Sequence, residues 1–318
     1  MGATTLRGVL PVIATPFDNE MKIDTVQLRA EVDWLFDKGA NGIAVAMVSE
    51  IQRLSTPERQ RLNDVVCGFV DGRGPMVASV GAESTSVAVE LSREAHRSSA
   101  TAVMAAPPLL TPIDERGLRS YLDAIMSAAQ MPVILQDASG YIGNAIDPRL
   151  QAKLVDEYGA DNLLLKPEAT PIGPMVTAIH EAATSEVRIF DGSGGLALVD
   201  THARGIIGTM PGPELVWALR ALWDALEVGD RQRSIAISSP LAMLQSMVPN
   251  LDAYVAFEKH LLVRQGVLTS VRMRGPVGFI LDDVERSLAD TLFDEIARVV
   301  GSASVDLFLA ESLCTEIS

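Results

Sequence analysis

Eight short apolar runs, each followed by a longer stretch of helical periodicity, set the strongest limit on how this chain folds. The runs are Gly8 to Ala14, Gly42 to Met47, Pro75 to Val80, Ala102 to Ala106, Pro132 to Gln136, Leu163 to Pro167, Val187 to Phe190 and Ile206 to Thr209. A run that is apolar throughout belongs to a strand covered on both faces, and strands that alternate with helices pair in parallel. Helix-start signals stand where this alternation needs them: Asp24 before Val26, Thr56-Pro57 before Glu58, Asp147-Pro148 before Arg149, and Gly212-Pro213 before Glu214. Eight such units predict an α/β fold, a closed (β/α)8 TIM barrel over residues 1–230. After Gly229-Asp230 the alternation stops, and three helices are expected: Arg231 to Met247, Leu251 to Gly266 and Asp282 to Val300. This extension, 231–318, cannot bury its apolar faces alone, so it is expected to pack on the barrel or on another subunit.

Charge narrows the partners. Forty-one acidic residues face 26 basic ones, for a net charge of −15. Polyphosphate backbones need clustered Lys and Arg, so nucleic acid and anionic membranes are excluded as partners. No apolar run reaches the ~18 residues of a membrane span. Cys67 and Cys314 form no paired framework, which with the missing signal pattern predicts a reducing, cytoplasmic setting. The histidines, His96, His180, His202 and His260, fall on predicted helices without HxxxH or HExxH spacing. No metal or other cofactor is expected.

In a barrel of this kind chemistry sits at the carboxyl ends of the strands. Of the five lysines, Lys22, Lys38, Lys153, Lys166 and Lys259, only Lys166 lies in a strongly apolar run at a strand end; the other four sit in a polar turn or on charge-bearing helical stretches. Removing water from an ammonium favours the neutral amine, the form that attacks a carbonyl. The same lysine is open to a plainer reading, a side chain that snorkels to solvent. Glu168 faces the same way as Lys166, since strand side chains alternate, and serves either proton transfer or a structural ion pair. Gln136-Asp137 closes the fifth strand, with the Gln136 amide on the interior face shared with Ile134. Ser49-Glu50 ends the loop after the second strand. Asp191-Gly192-Ser193-Gly194-Gly195 exposes backbone N–H groups suited to an anion, although glycine-rich loops are common in barrels.

From Gly8 to Gly212 the chain resembles the dihydrodipicolinate synthase / N-acetylneuraminate lyase family of Schiff-base aldolases and lyases. The resemblance is carried by Thr15-Pro16-Phe17, Gly39-Ala40-Asn41-Gly42, Ser49-Glu50 with Leu54 and Glu58-Arg59, Pro107-Pro108, Lys166 and the glycine-bearing eighth strand. It implies a Schiff base between Lys166 and a 2-oxo acid, a three-helix extension, and a homo-oligomer, tetramer or dimer. The departures matter as much. The family's Gly-Thr-Thr-Gly-Glu loop is Met47-Val48-Ser49-Glu50 here, its proton-shuttling tyrosine falls at Gln136, and its synthase arginine falls at Tyr141. These changes argue against dihydrodipicolinate synthase activity itself.

Ser49-Glu50, Gln136-Asp137, Lys166-x-Glu168, Gly194-Gly195 and Thr201-His202-Ala203 are similar to the branch containing L-2-keto-3-deoxyarabonate dehydratase. On that resemblance Lys166, Glu168 and Gln136 are catalytic, while Thr15, Ser49, Glu50, Asp137, Gly192, Ser193 and Gly194 bind substrate. The expected reaction is dehydration of a 2-keto-3-deoxy sugar acid. A pyruvate-dependent aldolase and a barrel that has lost catalysis but binds 2-oxo acids are the alternatives.

Overall fold

The computed structural model describes residues 5–140 and 145–301. Its strands are Gly8–Val9 (β1), Ile43–Ala44 (β2), Met76–Ser79 (β3), Ala102–Ala105 (β4), Val133–Asp137 (β5), Leu163–Pro167 (β6), Phe190–Asp191 (β7) and Gly208–Thr209 (β8). The barrel helices are Thr25–Asp37 (α1), Thr56–Val70 (α2), Thr85–Arg97 (α3), Glu115–Ala129 (α4), Pro148–Tyr158 (α5), Ile172–Ala182 (α6), Leu198–Ala203 (α7) and Val216–Glu227 (α8). Arg231–Ser246 (α9), Leu251–Arg264 (α10) and Asp283–Gly301 (α11) follow.

All strand pairs are parallel. They form two arcs, β2-β3-β4-β5-β6 and β1-β8-β7. Single parallel bridges, Val12 with Ala44 and Leu165 with Ile189, join the arcs at both seams and complete the ring. Several strands are shorter than their apolar runs. Pro11 interrupts the first run because it has no N–H to donate, yet Leu10 and Val12 still donate to Thr209 and Pro211 carbonyls, at 2.9 and 2.7 Å.

Strand alternation sorts the side chains. Leu10, Val12, Ala44, Val77, Met104, Ile134, Leu164 and Phe190 fill the barrel, whereas Val9, Ile43, Val103, Val133, Leu135, Leu163 and Leu165 pack under the helices. Two residues beyond Ile134 and Leu164, the same inward direction is taken by Gln136 and Lys166, which are register partners on β5 and β6. The interior is thus closed by apolar layers below and polar groups at the rim.

Most helix starts follow the sequence signals. Asp24 accepts from the N–H of Val26 and Gln27, Asp147 from that of Arg149, and the Glu58 carboxylate takes the Ser55 N–H at 2.9 Å. The exception is α8, which begins at Val216 and not at Glu214; Glu214 is buried in the loop before it. In the extension, α9 and α11 pack against α8, while α10 runs to the turn after β2 and places Tyr254 and Val255 in the barrel's interior cluster. No helix among the described residues is long and apolar enough to cross a membrane.

Candidate active site

Lys166 ends β6 with only 3% of its surface exposed, and Glu168, two residues on, is 5% exposed. The ammonium and carboxylate form a buried ion pair through Glu168 Oε1. Gln136 Nε2 donates to the other oxygen, Oε2, at 3.0 Å. One carboxylate therefore joins the amine on β6 to the amide on β5. Gly192 lets it sit there, because a Cβ at this position would lie 2.7 Å from Glu168 Cγ and Oε1.

A cavity of about 20 Å³ lies over this group, bounded also by Ala46, Met47, Val48, Met210, Gly212 and Tyr254. It holds about one water. Two larger cavities adjoin it. One, of about 140 Å³, shares Glu168, Gly192 and Tyr254 and adds Ser193, Thr170 and Gln245. The other, of about 380 Å³, shares Met47 and Gln136 and contains Arg59, Ser79 and Glu83. Arg59 donates to the Gly81 carbonyl at 2.9 Å, but its Nε is buried without a partner. Burial pushes this guanidinium down to about 10.

The other predicted substrate-binding side chains are engaged elsewhere. Thr15 Oγ1 donates to the Ser49 carbonyl and Ser49 Oγ to that of Ile13, both at 2.6 Å. They brace the 310 turn Met47–Ser49, and it is Met47 and Val48 of that turn, not Thr15 or Ser49, that line the cavity. The first N–H groups of such a turn have no acceptor within it, which leaves Met47 and Val48 as donors at the cavity wall. Glu50, held at φ 58°, points its carboxylate away from the cavity and to Lys259 at 2.5 Å and the Arg274 N–H at 2.7 Å. Asp137 alternates outward from Gln136 and accepts from Ser139 and Ile146 N–H, holding both ends of the following loop. Tyr141 lies outside the described residues.

Gly192 and Ser193 do line the site, but Ser193 Oγ donates to Asp191 at 2.7 Å. Gly194, at φ +64°, touches it indirectly: a Cβ there would meet Tyr254 Oη at 2.8 Å. Asp191 itself is fully buried, and desolvation holds its carboxyl above the usual range, against hydrogen bonds from Ser193 and Thr201.

Lys166 is not the one buried lysine. Lys259 is wholly buried on α10, donating to Glu50 and to the carbonyls of Thr15 and Arg272; burial lowers its pKa. Its sequence neighbours Tyr254 to Leu262 give the signal in retrospect, as Glu258-Lys259-His260 interrupts an otherwise apolar stretch. Nearby, Glu31, Glu214 and Glu258 are buried and each keeps at least one oxygen without a partner. Desolvation pushes Glu31 up to about 8 and Glu214 to about 7, and raises Glu258 well above the carboxylate range. Among the described residues no cluster of His, Cys, Asp and Glu could hold a metal ion.

A parallel barrel with a buried lysine at the end of its sixth strand, paired to a carboxylate, is the architecture of a Schiff-base lyase. Residues 5–294 match the dihydrodipicolinate synthetase family, and the chain belongs to it. Its members are carbon–carbon and carbon–oxygen lyases. The 4-hydroxy-tetrahydrodipicolinate synthase of Methanopyrus kandleri is 28% identical over 72% of this chain and 77% of its own length. The synthase of Synechococcus sp. is 26% identical over 92% of this chain and 96% of its own. Among solved structures, a prophage protein of the dihydrodipicolinic acid synthase family from E. coli K12, in complex with pyruvate, superposes with a TM-score of 0.82 at 19% identity, covering 92% of this chain and 99% of that one. A catalytic-lysine mutant of Ruminococcus gnavus sialic acid aldolase gives 0.81 at 19% identity, covering 92% and 96%.

Proposed function

We propose that this protein dehydrates a 2-keto-3-deoxy sugar acid, of the L-2-keto-3-deoxyarabonate type, through a Schiff base on Lys166. The observation that carries the reading is the shared carboxylate: Glu168 bonds both the Lys166 amine and the Gln136 amide, with Gln136 at the strand position of the family's tyrosine. Glu168 takes the ammonium proton, the amine adds to the C2 carbonyl, and Glu168 returns that proton to the carbinolamine oxygen as it leaves as water, which leaves the carboxylate ionised again. The iminium so formed is an electron sink that acidifies C3. Glu168 accepts the C3 proton, and the enamine expels the C4 hydroxyl. The Gln136 amide orients carboxylate and substrate but cannot titrate. Met47 and Val48 N–H groups hold the C1 carboxylate, and the sugar-acid tail runs toward Arg59, through the wall that both cavities share.

The barrel, 1–230, carries this chemistry, and α10 of the extension, 231–318, covers it with Tyr254 and Val255. The same reading takes the protein to act in the cytoplasm as a homo-oligomer, tetramer or dimer. A panel of 2-oxo-3-deoxy pentonic and hexonic acids, with NMR identification of products, tests the reaction. A dehydrated oxo acid is expected. Pyruvate plus an aldehyde would establish the aldolase instead, and no turnover of any acid would establish a binding protein.

A further inference from the structure

We infer that Tyr254, delivered to the site by α10, is the acid that protonates the departing C4 hydroxyl, and that the buried Glu214 carboxyl recharges it. The inference rests on the proposed dehydration and names the group that does the work of the family's strand tyrosine.

Expelling hydroxide from carbon needs a proton donor, and neither Gln136 nor an ionised Glu168 supplies one. Tyr254 bounds the same small cavity as Lys166, Glu168 and Gln136. Its ring is buried in the barrel's interior cluster, which fixes the position of the hydroxyl. The Gly212 N–H donates to Tyr254 Oη at 3.0 Å, so the phenol oxygen accepts in that bond and a developing phenolate is stabilised by it.

Glu214 stands behind. A Cβ at Gly212 would collide with Glu214 Oε2, and would lie 3.0 Å from Tyr254 Oη and 2.7 Å from the ring. Phenol and carboxyl thus flank the same bare glycine, close enough for one water to bridge them. Glu214 Oε2 is buried and has no partner. A carboxylate kept for structure would hold an ion pair or fill its hydrogen bonds, because leaving a buried polar atom unmatched is costly. A proton store needs an unmatched oxygen.

The groups facing Glu214 keep the store loaded. They are Glu258 and Tyr254 on α10, and Glu31 on α1. Two of these are carboxyls raised by burial, and the Lys259 cation beyond them is engaged by Glu50 and two backbone carbonyls. Burial sets the Glu214 carboxyl at about 7. It is therefore protonated below neutrality and spent above it, which makes the phenol a donor and not an acceptor, as dehydration requires and aldol cleavage does not.

The step balances. Glu168 takes the C3 proton, the C4–O bond breaks with its electron pair leaving on oxygen, and the Tyr254 proton completes a molecule of water. Glu214 returns a proton to the phenolate. After water releases the product from Lys166, Glu168 gives its proton to solvent and Glu214 takes one up. The net change is loss of one water from the substrate.

The test separates this acid from the Schiff base. Wild type, Tyr254→Phe and Glu214→Gln are each given pyruvate with borohydride, pyruvate in D2O, and L-2-keto-3-deoxyarabonate. Pyruvate has no leaving hydroxyl, so both variants should keep the Lys166 adduct and methyl-proton exchange, which also shows that they are folded. Tyr254→Phe should lose dehydration by about 100-fold or more. Glu214→Gln should lose turnover less severely and flatten the fall in kcat above pH ~7. Dehydration by Tyr254→Phe at the wild-type rate would overturn the inference, as would adduct, exchange and dehydration falling together. If wild type forms no adduct or leaves the sugar acid untouched, the proposed function fails first.

Discussion

Replacing Lys259 by Met tests how the extension is fastened to the barrel. The ammonium and the Glu50 carboxylate are both wholly removed from solvent, 2.5 Å apart. Removing one partner of such a pair strands the other charge and costs about 3–5 kcal/mol. The lower end applies, since Glu50 keeps the Arg274 N–H at 2.7 Å and the Arg53 guanidinium at 3.6 Å. Loss of two donated bonds, to Thr15 and Arg272 carbonyls, adds on the order of 1 kcal/mol each where the acceptor stays buried. Taken together, Lys259→Met should cost about 5 kcal/mol, or roughly 8 °C in Tm for a chain of this size. Urea unfolding at pH 7 and fixed protein concentration reads the single variants and the pair Lys259→Met with Glu50→Gln. The double variant should recover at least ~2 kcal/mol of the summed single losses, because no bare charge remains. A single-variant cost below about 1 kcal/mol, or strictly additive losses, would refute the reasoning.

Three further outcomes follow from the site. Gly192→Ala drives a methyl into Glu168 Cγ and Oε1, at 2.7 Å, and should cut kcat at least ~10-fold while changing Tm by only a few degrees; unchanged kcat would show that Glu168 need not stay beside Lys166. Arg59→Met removes a largely buried cation from the larger cavity and should raise KM for the sugar acid about 10-fold or more without reducing pyruvate trapping on Lys166, whereas equal KM values would remove Arg59 from the binding path. Glu31 is raised to about 8 when folded from 4.5 when unfolded, so the folded chain holds the proton longer and its stability falls as pH rises between these values. Glu31→Gln keeps the acceptor for the Ala14 N–H and should gain stability over wild type from pH 5 to pH 8, and a difference independent of pH would contradict the assigned burial.

What was legible in the sequence is what strand periodicity controls. The apolar runs placed all eight strands, and alternation along β5 and β6 put Gln136, Lys166 and Glu168 together. Hydroxyls and acids in loops were harder, because their partners come from remote segments. Thr15 and Ser49 face each other's backbone region, and Glu50 finds Lys259, 209 residues away. Lys259 read as one charge on a charge-bearing helical stretch, Glu214 marked only a helix start, and Tyr254 carried no motif. All three acquire their surroundings only when α10 settles across the barrel mouth, an event that local pattern does not record.

The proposed function stands on covalent attachment of substrate to Lys166. Incubation with pyruvate and borohydride, followed by proteolysis and mass spectrometry, tests it directly. A stable reduced adduct is expected on the Lys166 peptide and none on the peptide bearing Lys259, which is also buried. A folded protein whose Lys166 stays unmodified, or whose adduct falls on another lysine, would contradict it.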